Sequence, residues 1–127
     1  MLGNRTVIIK KLPAALDIAK SRLFLRELES YIRVSRPCVV LDCSSVMQLE
    51  RIAVCLLLSC LEAAMKWNGD VRLAGLGPEA REALATFGAG QLFMIFDSNN
   101  EAVESFHLRP VHAPVGKPAQ GMSSRAA

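Results

Sequence analysis

The chain has 127 residues, enough for one domain with one core, and 51% hydrophobic against 21% charged residues excludes a disordered chain. The formal net charge of +3 suggests nucleic-acid binding, but Arg109, Lys117 and Arg125 carry that excess at the C-terminal end. The remainder balances twelve basic against twelve acidic residues, so its body lacks the electrostatic footprint of a phosphate-backbone binder.

Thr6-Val7-Ile8-Ile9 is β-branched and predicts a strand continuing to Leu12, closed by Pro13. Asp17 and Ser21 are candidate caps for a helix in which Leu23, Phe24, Leu28, Tyr31 and Ile32 recur at helical spacing. Arg36-Pro37 breaks it. Cys38 to Leu41 is a short, wholly apolar strand, as expected in the middle of a sheet covered by helices. The second helix spans Arg51 to Trp67, with a core stripe of Val54, Leu57, Leu58, Leu61, Ala64 and Met65. Its first half is apolar on the other sides too, so it is either buried all round or awaits a partner. Gly69 is the expected left-handed stop.

Val71 to Ala74 predicts a third strand, Gly75-Leu76-Gly77 a turn, and Pro78 the first residue of a third helix ending near Gly88. Leu92 to Phe96 predicts a fourth strand. Ser98-x-x-Glu101 spells a capping box that opens a last helix to about Phe106. Beyond Leu108, Pro, Gly and Ser dominate, and residues 109–127 are expected to form a flexible tail. The alternation of strands and helices predicts an α/β domain over residues 1–108, with a mostly parallel sheet of four to five strands and four helices.

Catalytic and metal-binding patterns do not emerge. Gly75-x-Gly77 lacks the rest of a phosphate-binding motif, and no nucleophile elbow is present. Cys38, Cys43, Cys55 and Cys60 form no CxxC pair and lie far from His107 and His112, so neither a zinc site nor a cofactor is expected. The cysteines sit in apolar runs, which fits a reducing compartment. With no leader pattern at Met1 to Arg5, and an apolar run of only Ile52 to Leu61, the protein is expected to be cytoplasmic and not embedded in a membrane.

The most informative segment is Leu41-Asp42-Cys43-Ser44-Ser45-Val46 followed by the helix from Arg51. It resembles the STAS domain family, which includes bacterial anti-sigma factor antagonists, in its L-D-(L/F)-S-x-V motif. Leu12-Pro13-Ala14-Ala15-Leu16-Asp17 resembles the family's L-x-G-x-L-D turn, and Asn68 to Leu73 its G-G-x-(L/V)-x-L. Leu84 to Gly88 with Leu92-Phe93, and then Asp97-Ser98, resemble its last motif, so the likeness covers residues 5 to 106. Where the family has D-S-S-G, this chain has Glu50-Arg51-Ile52-Ala53, and Ile52 falls at the phosphorylated position without a hydroxyl.

The resemblance implies a non-enzymatic protein-binding module for transcriptional signalling, whose partner is an anti-sigma factor or kinase-type regulator. The alternative it implies is an accessory subunit on the ATPase of an ABC-type lipid transporter, or a scaffold. The expected partner-binding residues are Pro13, Asp17, Leu49, Glu50, Arg51, Ile52, Ala53 and Leu56, with Ile52 as the degenerate phosphosite. A ligand-binding role has no motif to support it. Family members carry a further strand before the one at Thr6, through a turn that Gly3-Asn4 would supply. An exposed edge here would invite a homodimer.

Overall fold

The computed structural model describes residues 6–107. The tail expected at 109–127, the turn at Gly3-Asn4 and His112 lie outside them. Four strands alternate with four helices: β1 (Val7–Lys11), α1 (Ile18–Tyr31), β2 (Cys38–Asp42), α2 (Arg51–Met65), β3 (Asp70–Ala74), α3 (Pro78–Thr86), β4 (Ile95–Phe96) and α4 (Asn99–His107). The sheet runs in the order β1-β2-β3-β4, and every pair is parallel. Such a sequential order, with crossovers of one hand, sends successive helices to one face. The main core accordingly joins buried residues of α1, α2 and α3 to the sheet, while α4 packs Ala102, Val103 and Phe106 against Val40, Ala74 and Phe96.

β2 is central, which explains its lack of alternation: Cys38, Val39, Val40 and Leu41 are all fully buried. Asp17 caps α1, its carboxylate accepting the Lys20 N–H at 2.7 Å, while Ser21 lies inside the helix. Phe24, Leu28 and Ile32 form the buried stripe at i, i+4 and i+8, so Leu23 and Tyr31, expected on the same apolar face, flank it and stay exposed. In α2, Met65 is exposed as well, and the buried set is Ala53, Val54, Leu56, Leu57, Cys60, Ala63 and Ala64. That set is wider than one stripe because α2 packs on both the sheet and α1.

Gly69 does not supply the left-handed residue at the end of α2. Asn68 does, at φ 62°, and the Gly69 and Asn68 N–H groups donate to Ala64 and Met65 carbonyls to close the turn. Gly69 is required for another reason: a Cβ there would lie 2.2 Å from the Pro37 carbonyl oxygen.

The fourth strand is also shorter than expected. Gly88, at φ 77°, ends α3, and a single 3-10 turn at Gly90–Leu92 follows, so only Ile95 and Phe96 pair with β3. The Ser98 hydroxyl accepts the Glu101 N–H at 3.2 Å as the capping box predicts, but the Glu101 carboxylate reaches the Asp97 N–H instead of returning to Ser98. The Arg72 guanidinium fastens α4 to the sheet by donating to Ser105 Oγ at 2.6 Å and lying 4.0 Å over the Phe106 ring. Among the described residues no helix is long and apolar enough to cross a membrane.

Candidate functional site

The loops after β1 and β2 both leave the carboxyl ends of parallel strands, where open α/β sheets form their crevices. Leu12 pins the first loop, fully buried with its N–H on the Asp42 carbonyl at 2.9 Å. Asp42 shapes the second loop. One carboxylate oxygen accepts the Ser44 N–H at 2.9 Å, and the other accepts Asn99 Nδ2 at 3.0 Å. Burial opposes ionisation of Asp42, but the hydrogen bonds from Ser44 and Asn99, with Lys11 nearby, outweigh it and hold its carboxyl below the ordinary value. Ser44 in turn packs against Gly75, whose φ of 80° and lack of a side chain admit it.

Between the two loops and the first turn of α2 lies a depression of about 260 Å³. Pro13, Ala15, Leu16, Val46, Met47 and Ile52 supply its apolar part, and Glu50, Gln48 and the loop backbone make the rest of its surface polar, in nearly equal share. Ile52 is 38% exposed and Met47 77% exposed. Glu50 is the N-terminal cap residue of α2 without a side-chain capping bond, and its charge sits favourably at the positive end of the helix.

The structure thus separates the eight expected contact residues. Pro13, Glu50 and Ile52 line the depression, and Arg51 is exposed beside it. Asp17 is exposed, but its carboxylate caps α1, so it fixes the loop from within. Leu49, Ala53 and Leu56 are each no more than 4% exposed and belong to the core; Ala53 also lines the depression, so the expectation of a contact surface is corrected at Leu49 and Leu56. Leu49 immediately precedes the cap and Val54 lies in the second turn, both buried in one cluster, the arrangement of a hydrophobic staple. That spacing is visible in the sequence and marks Leu49 as inward. Met47 and Cys55, both exposed, were missing from the expected surface. Met47 carries no periodic signal because it lies in a loop.

Cys43 and Cys60 are buried, and burial pushes both thiols up to about 12. Among the described residues no group of His, Cys, Asp and Glu could hold a metal ion.

An all-parallel α/β domain with a depression at the carboxyl ends of its strands is the class these features define. Residues 1–102 match the model of the STAS domain, and the chain belongs to that family. A comparison with curated proteins finds no match. Solved structures share the fold. A STAS-domain anti-sigma-factor antagonist protein from Planctomyces limnophilus is 14% identical, with a TM-score of 0.68 covering 79% of this chain and 90% of its own. The anti-sigma factor antagonist SpoIIAA in its unphosphorylated form is 17% identical, with a TM-score of 0.67 covering 82% and 90%. The STAS domain of a SulP transporter from Vibrio cholerae is 14% identical, with a TM-score of 0.65 covering 80% of each chain.

Proposed function

We propose that this STAS domain works by binding a protein, an anti-sigma factor or kinase-type regulator, through the depression and the first turn of α2, and that phosphorylation does not release it. Ile52 carries this reading: it is an exposed apolar side chain lining a depression of mixed polar and apolar surface, at the position where the family resemblance places a phosphorylated hydroxyl. A phosphate there would bring up to about two negative charges into a packed contact. An isoleucine brings apolar surface instead, which favours association. Pro13, Glu50, Arg51 and Met47 complete the contact, Glu50 and Arg51 giving it one charge of each sign.

The test is titration of a kinase-type anti-sigma factor onto the full chain. Ile52→Asp is expected to weaken binding at least about tenfold, a loss of about 1.4 kcal/mol, because it puts a carboxylate where the contact is apolar. Incubation with kinase and ATP is expected to leave the mass of the chain unchanged. A phosphate gained at Ser44, Ser45 or Thr86 would overturn the phosphorylation-blind reading. An ABC-type ATPase that binds where the anti-sigma factor does not would move the same surface to the accessory-subunit role.

A further inference from the structure

The chain segments that hold the two outermost strands of the sheet carry opposite net charge. Residues 7–36, which hold β1 and α1, have seven basic and three acidic side chains, a net of +4. Residues 78–98, which hold α3 and β4, have one arginine and three acidic side chains, a net of −2. β1 and β4 stand at opposite ends of the strand order, so the charges of the β1 and α3 segments lie toward opposite sides of the domain, whereas α4 packs across all four strands.

Each end also offers apolar surface. Beside β1, a groove of about 440 Å³ has Leu23 and Phe24 on its α1 wall and Lys10, Lys11 and Lys20 around it. Lys10 is neutralised by Glu27 at 2.8 Å, while neither Lys11 nor Lys20 forms a salt bridge among the described residues. Leu23 is 53% exposed, and Ile9, on the opposite face of β1, 51%. At the other end Phe87, Leu92 and Met94 are exposed around β4. Arg81 bridges to Asp97 at 3.0 Å and ties α3 to the end of β4, leaving Glu79 and Glu82 exposed without a salt bridge among the described residues.

We propose that copies of this chain associate head to tail, the lysine-rimmed groove at the β1 edge of one receiving the acidic, apolar β4 edge of the next. Charge decides between this and a two-fold dimer through β1. Two β1 edges brought together would juxtapose grooves of like charge, and lysines on an edge strand discourage such pairing. Unlike edges attract and steer each other. A contact between different surfaces does not close at two copies, so the assembly grows by addition or closes as a ring.

Sedimentation of the full chain tests this. At an ionic strength of about 0.01 M, where charges are felt over about 30 Å, the average mass should rise with concentration beyond that of a dimer. At about 1 M, where the reach is about 3 Å, the chain should be monomeric. The exposed-site variants Lys11→Gln/Lys20→Gln and Glu79→Gln/Glu82→Gln should each be monomeric alone at low salt. Mixed, they should form a dimer of one of each and stop, because one intact edge of each kind remains. A wild-type chain that stays monomeric at low salt would overturn the proposal. So would growth that ends at a two-fold dimer, or a mixture that stays monomeric.

Discussion

The four cysteines divide by burial. Cys38, Cys43 and Cys60 are buried, whereas Cys55 faces outward on α2, three residues after Ile52. Since the thiolate is the nucleophile, Cys43 and Cys60, with thiols raised to about 12, should not react at neutral pH in the folded protein. Brief alkylation of the native chain should therefore add one label, located by peptide mass at Cys55, and denaturation should open the other three. A native label on Cys43 or Cys60 would contradict their burial. Asp42 gives a pH dependence of definite sign. Its folded carboxyl lies below the ordinary value of 3.8, so it contributes stability above about 3.8 that is lost as pH falls through the lower folded value. Asp42→Asn should keep the Asn99 contact in part and flatten the acid limb of a melting-temperature profile. An unchanged slope would count against the linkage. The burial of Cys43 is legible in its apolar run. The bond from Asp42 to Asn99 is not, because 57 residues separate the two.

At the scale of elements, helices with one clear stripe are the most readable. Phe24, Leu28 and Ile32 announce the inner face of α1, and Pro78 and Ser98 mark the starts of α3 and α4 as expected. In α2 periodicity fails for a physical reason. A helix packed on both a sheet and another helix buries residues around much of its circumference, so apolar residues no longer point to one side. Leu56 read as surface and proves to be core. The end of α2 shows a second limit, since Asn68 and Gly69 both suit a left-handed position and only the approach of Pro37 decides between them. Gly69→Ala should destabilise the domain by about 1–3 kcal/mol, the cost of overpacking against a backbone that cannot yield. Urea unfolding measures this, and a loss below about 0.5 kcal/mol would show that the Pro37 segment gives way.

For the whole molecule, the order of elements and the parallel sheet follow from the alternation of strand and helix, and the family from the motifs at Leu12, Leu41, Asn68 and Leu84. The depression could not be read directly, since it is assembled from two loops that meet only when β1 and β2 pair in register, Lys11 beside Asp42. Ile52, which lines it from the first turn of α2, is singled out in the sequence by the departure at Glu50 to Ala53, and it is 38% exposed.

Calorimetric titration of a kinase-type anti-sigma factor, with and without ATP, onto the wild-type chain and onto Ile52→Ser tests that role most directly. The wild-type affinity should be the same in both conditions, while the serine variant should gain one phosphate and lose affinity when ATP is present. Release of the wild-type chain by ATP, with phosphate on that chain, would contradict the account.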